Sequence, residues 1–199
     1  MPVKRPAMKV RPPRIPMLTE QELSAQQLAL LASIRSGPRG AGTTIRGPFA
    51  VFLHAPAFGE LAQQLGGYCR YKTTLPPRLS EFAILATAKL WRAQYEWFAH
   101  VAMAERAGVK KETIRELHRG VPLKSATSEE KVIYDFVNEL YGTKRVSDKN
   151  FARAHALLGM KGTIELVGIL GYYALISMIL NVFRMSLPEG EPLPFAERQ

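Results

Sequence analysis

Residues Arg78–Gly108 read RLSEFAILATAKLWRAQYEWFAHVAMAERAG, and the reading of this stretch decides the fold class. Phe82, Leu85, Ala86 and Leu90 recur at helical spacing and share one stripe. The pattern resumes from Gln94 to Ala107, with Trp97, Val101, Ala104 and Ala107 on one side, and Gly108 supplies a C-terminal stop. Two helices are predicted. Among their alanines, leucines and aromatics stand three side chains fit for proton transfer, Glu81, Glu96 and His100. Glu96 and His100 have the i, i+4 spacing that makes neighbours on one helix face. Glu81 would lie roughly 22 Å from Glu96 along a straight helix. The three meet only if the chain bends near Trp91–Gln94, where no Pro or Gly forces a turn.

Outward from this stretch the helical signals continue. Thr19 and Glu22 have capping-box spacing ahead of Leu23, Leu28, Leu30 and Leu31, so a first helix is predicted from Glu20 to Arg35. Ser36–Thr44 is a loop by its glycines and Pro38. Gly47-Pro48 leads into a short apolar element, Phe49–His54, and Pro56 opens a helix through Tyr71. After Pro76-Pro77 and the central pair, Lys110–Arg119 reads as a short amphipathic helix closed by Gly120. Ser128, with Glu129 and Glu130 in the first turn, begins a helix through Tyr141 that Gly142 closes. Another helix is predicted over Asp148–Leu158, ended by Gly159. His118 and His155 sit among charged or small residues and read as solvated.

Thr163–Met185 is the most apolar stretch. It is free of charge from Leu166 to Leu180, and it reaches the ~18 uncharged residues a membrane span asks for only by extending to Phe183 and admitting Asn181. Glu165 opens it, and Gly168, Gly171, Ala174 and Ser177 are spaced to admit close neighbours. A helix buried in a core or a subunit interface is expected, and no membrane partner. No alternating run or hairpin signal appears, so the fold class is all-α.

The chain has 199 residues, 47% of them hydrophobic, which suits one folded domain over residues 17–186. The net charge of +10 is uneven. Lys4, Arg5, Lys9, Arg11 and Arg14 fall in the first sixteen residues, punctuated by prolines and without an acid. Residues 1–16 therefore read as a basic, Pro-rich flexible arm. No interleaved aromatics point to nucleic-acid binding, and no apolar run follows to make a secretory signal. Residues 187–199 read as an extended tail strapped over the surface. The lone Cys69 excludes an intrachain dithiol and reads as a small buried hydrophobe, in keeping with a cytoplasmic protein.

A Glu at position 81, then Y-E-W-x-x-H over Tyr95–His100, then small residues ending in Gly108 resembles the carboxymuconolactone decarboxylase family, which includes the AhpD alkylhydroperoxidases. The leader Arg46–Pro56 (RGPFAVFLHAP) and the stretch Gly171–Asn181 resemble that family too, so the resemblance covers most of residues 46–190. In the AhpD branch the motif holds a C-x-x-C pair; here its positions carry Ala93 and Glu96. The decarboxylase-like branch has a Glu four before the His, as Glu96 and His100 do. The resemblance implies a helical bundle, assembly into homo-trimers or hexamers, and acid–base catalysis without metal or organic cofactor.

By spacing alone, an i, i+4 Glu–His pair is a surface contact worth a few tenths of a kcal/mol. The surrounding Tyr95, Trp97, Phe98 and alanines leave little solvent-facing charge, and the resemblance makes the pair a site. It implies His100 as proton carrier, Glu96 as its tautomer-holding or proton-sharing partner, and Glu81 as the end of a relay. Glu81 is otherwise a helix-start carboxylate favoured by the dipole. Five residues are candidates for substrate binding: Tyr95 and Trp97 as pocket walls or packing, Arg92 for a substrate carboxylate, His54 as a pocket or turn residue, and Asn181 facing the pocket or a backbone carbonyl. The substrate expected is a small lactone or keto acid, handled by a lyase, hydrolase or isomerase. Three alternatives stand beside this: a thiol-dependent hydroperoxidase, a non-catalytic binding or assembly protein, and a carboxylate–imidazole metal site. The hydroperoxidase is disfavoured by the missing cysteines, and no H-x-x-x-H or E-x-x-H pair supports the metal site.

Overall fold

The computed structural model describes residues 11–196. Among them the chain forms α-helices and no strand: α1 (Ala25–Ser36), α2 (Pro48–Phe52), α3 (Pro56–Tyr71), α4 (Pro77–Trp91), α5 (Gln94–Arg106), α6 (Lys111–Arg119), α7 (Ser128–Thr143) and α8 (Asp148–Phe183). The central helix is α4. Its residues Phe82 to Ala88 are all buried, because α5, α7 and α8 pack around it. Prolines at the starts of α2, α3 and α4 occupy positions where a missing N–H costs nothing.

Several boundaries differ from the sequence reading. The predicted helix over Glu20–Arg35 is split. Thr19 caps a single 3-10 turn, Glu20–Glu22, and Ser24 then caps α1 through Gln27. Two consecutive capping boxes compete for one chain, and the second begins the longer helix. Phe49–His54 lies largely within the short α2. Gly142 does not close α7, which runs on to Thr143 and ends at Lys144 in the left-handed conformation. Gly159 does interrupt α8, with φ 68 and ψ 178 between two helical segments.

The long apolar segment after Gly159 satisfies the length and composition of a membrane span, yet half of its most apolar window is buried within the molecule. Leu166, Ile169, Leu170, Tyr173 and Ile176 point into the core. The other side stays open: Ile164, Val167, Met178 and Val182 are exposed, and Gly168 and Gly171 meet no neighbour. The small residues read as close-packing points therefore include two that pack against nothing within the subunit.

The segments at both ends of the described residues are tied down further than composition suggested. Of the basic arm, residues 1–10 lie outside the described residues. Arg14 donates from its backbone N–H to Phe183 O and from Nη1 to Val182 O, while Ile15 packs against the core. The tail is not a surface strap alone. Phe195 is buried, stacked on His118 and edge-on to Trp97, and Gln94 bonds both its N–H and its carbonyl. His118 is correspondingly half-buried rather than solvated, and its Nε2 donates to Pro194 O. His155 is exposed, as expected.

Candidate active site

The bend that brings the acid–base residues together is made by an arginine. Arg92 adopts φ 51 and ψ 36, the left-handed conformation, and caps α4 with N–H bonds to Ala88 O and Lys89 O. The Ala93 N–H also reaches Ala88 O, at 2.9 Å, completing a Schellman-type end without glycine. The α5 helix starts at once and folds back on α4, so Glu81 on one helix meets His100 on the other.

His100 lies between two carboxylates. Its Nδ1 is 2.7 Å from Glu81 Oε2 and its Nε2 is 3.0 Å from Glu96 Oε1. All three side chains are nearly sealed from solvent, with exposures of 5% for His100, 12% for Glu81 and 6% for Glu96. Burial alone would favour the neutral ring; the hydrogen bonds and charges of Glu81 and Glu96 outweigh it and push His100 up to about 9. At neutral pH that value makes the ring an imidazolium donating to both acids. Tyr173 of α8 stands edge-on to the ring at 5.1 Å. Burial, reinforced by the nearby Glu96 charge, holds the Tyr173 phenol well above its usual value and so protonated.

Glu96 and His100 face a cavity of 200 Å³; Glu81 lies behind the ring and is not in the wall. Opposite them stand three guanidinium groups, Arg39 from the loop after α1, Arg46 before α2 and Arg70 of α3. None of the three pairs with a carboxylate among the described residues. Arg39 is held over the Phe49 ring at 5.2 Å and donates to Gln63 O at 3.2 Å. Three guanidinium groups without a carboxylate partner make this wall of the cavity strongly cationic. Tyr95, Tyr172 and Tyr173 supply its aromatic walls.

Two glycines make room for those tyrosines. A Cβ on Gly66 would sit 2.1 Å from Tyr172 Oη, so α3 must be bare where that phenol crosses it. Gly47, at φ 55, lies under the Tyr95 ring, which a Cβ would approach to 2.4 Å.

Of the sequence candidates, the fold gathers Glu81, Glu96, His100 and Tyr95, and places the other four elsewhere. Trp97 turns to the opposite side of α5, against His118 and Phe195. His54 is exposed and donates to Pro16 O at 2.9 Å, which is the turn role rather than the pocket role. Arg92 reaches Ala196 O at 2.6 Å and lies over the Phe195 ring. Asn181 donates from Nδ2 to Trp91 O at 2.8 Å, satisfying a carbonyl at the end of α4. Arg92 and Asn181 line a separate cavity, which meets the first at Tyr95. Cys69 is buried and does not line the cavity, and burial pushes its thiol up to about 11, so no thiolate is available.

Sequence reasoning missed Arg39, Arg46, Arg70, Tyr172 and Tyr173. Arg46 and the tyrosine pair were within reach, since they lie in the two stretches that carried the resemblance. Arg39 sits in a Gly/Pro loop and Arg70 in the last turn of α3, and nothing local marks either as a site residue.

Residues 56–128 match the sequence model of the carboxymuconolactone decarboxylase family (CMD). Over that segment the chain is similar to the carboxymuconolactone decarboxylase family. No curated protein matches it. The matched segment runs from α3 to the start of α7 and holds Arg70, Glu81, Tyr95, Glu96 and His100. Arg39, Arg46, Tyr172 and Tyr173 lie outside it, so the cavity combines family-matched acid–base residues with flanking cations and phenols.

Proposed function

We propose that the His100 cavity is the active site of an acid–base enzyme acting on a small lactone or keto acid that bears a negative charge. The observation that carries this reading is a buried imidazole clamped by two carboxylates and facing three unpaired arginines. A structural ion pair needs no such cationic wall, and a cavity of 200 Å³ admits only a small molecule.

The geometry refines the roles. Both nitrogens of His100 are engaged, so the ring has no free lone pair with which to act as base. Glu96, in the wall, is the group placed to take a proton from an acidic C–H of the substrate. His100 donates to Glu96 and orients its carboxylate. Glu81 fixes the ring from behind and is a positioning residue. The arginines hold a substrate carboxylate and stabilise an enolate as it forms. Return of the proton to a different carbon gives isomerisation, and protonation of the carbanion left by loss of CO₂ gives decarboxylation. Among the described residues no set of three His, Cys, Asp or Glu side chains is arranged to hold a metal ion. No cofactor enters the proposal.

The test is proton NMR of a mixed panel of lactones, β-keto acids and conjugated enol acids, with an alkyl hydroperoxide included. Wild type is expected to consume an acid from the panel; Glu96→Gln should slow it by ~10²-fold or more while the fold is kept. Turnover unchanged in Glu96→Gln, or consumption of the hydroperoxide alone, would sink the reading.

A further inference from the structure

The cavity that meets the first at Tyr95 measures 330 Å³, within the range of small-ligand sites. It lies where two helices end. Trp91 and Arg92 come from the end of α4, Leu180, Asn181 and Arg184 from the end of α8, and Arg11 completes one wall. Three guanidinium groups line it, and no Asp or Glu among the described residues does. Two helix C-termini contribute about half a negative charge each, which offsets only part of three cations.

The backbone adds an independent observation. Arg92, Lys144 and Arg184 are the non-glycine residues with positive φ, and two of them border this cavity. Glycine is the residue that takes this conformation without strain. Strain of this kind, kept at two adjoining positions by the same residue type, points to a use for the side chain. For Arg92 part of that use is internal, since it holds Ala196 O and covers Phe195. The side chains of Arg184 and Arg11 make no hydrogen bond or ion pair among the described residues. Gln94 spends both amide atoms on Phe195, and Asn181 spends its donor on Trp91, so neither competes for a ligand.

We propose that this cavity is a second ligand site, taking a small oxyanion with two negative charges, such as a dicarboxylate. It does not depend on the reaction assigned to His100. Tyr95, adjoining Glu96 in sequence, is the wall the two cavities share.

The experiment uses the full chain, titrated with malonate and then with inorganic phosphate while backbone amides are followed by NMR. Saturable shifts are expected at Asn181, Arg184 and Ser186. Arg184→Gly keeps the left-handed cap and removes only the cation. It should weaken binding by about tenfold or more without lowering the melting temperature. Arg39→Gln, in the other cavity, should leave these shifts in place. The proposal fails if neither probe moves these amides, if Arg184→Gly binds as well as wild type, or if Arg39→Gln abolishes the response.

Discussion

His100 links stability to pH. Its folded-state value, about 9, is above the ordinary 6.5, so the proton is bound more tightly in the folded chain. The stabilisation is fully present below pH ~6.5 and is lost as pH rises through about 9. Its full size is on the order of 3 kcal/mol, shared with the two carboxylates that cause it. Thermal melts between those two pH values are expected to show a falling melting temperature, and His100→Asn should flatten that slope. An unchanged slope would mean the ring is neutral in the folded protein, and Glu96 would lose its imidazolium donor. At the same scale, Gly66→Ala should disturb the site without touching the trio. The added methyl displaces Tyr172 Oη, so binding of an anionic substrate should weaken several-fold while the His100 slope persists. Substrate binding equal to wild type would show that Tyr172 is not held by that close approach.

Among the elements, the join between α4 and α5 and the C-terminal segment have the clearest consequences. Arg92 makes the turn between the two predicted helices, and the whole site rests on that turn. Periodicity located both helices, because each has a distinct apolar stripe. It placed the join near Trp91–Gln94 but could not show that the chain bends there, because a left-handed arginine leaves no mark in composition. The tail is the converse case. Its prolines predict an extended path, but only the fold provides the slot between Trp97 and His118 that receives Phe195. Phe195→Ala is expected to cost about 2–4 kcal/mol if the segment stays docked, less if it detaches. Faster proteolysis near Gly190 in the variant would mark detachment; melting and cleavage both unchanged would show that the tail contributes nothing to the fold.

At the scale of the molecule, α3 and α8 present adjoining apolar stripes to solvent. Leu61 is 70% exposed and Ile164 64%, with Phe58, Leu65, Val167 and Val182 beside them. The Tyr68 hydroxyl donates to Glu165 and ties the two stripes edge to edge. A continuous apolar face of this kind is unusual on a monomer and suits a second copy of the chain bearing the same face. Light scattering is expected to report a homo-oligomer, and the pair Leu61→Glu with Ile164→Glu should yield a folded, smaller species. A wild-type monomer across the micromolar range would refute this.

What the amino-acid order determined by itself is local. Helix positions follow from apolar periodicity, prolines and caps, the absence of strands from the lack of alternation, and the i, i+4 meeting of Glu96 with His100 from helix geometry alone. The likeness to the family over residues 56–128 could be read from Glu81 and the Tyr95–His100 motif, because chemistry held on one helical pair keeps its spacing. Everything that required segments distant in sequence was decided by packing. Arg39, Arg46 and Arg70 come from three separate elements and converge only in the folded chain, as do the tyrosines that cross Gly47 and Gly66. Trp97 and His54 left the site for a similar reason. Which face of a helix is the pocket depends on what packs against the other, and that is a property of the assembled bundle.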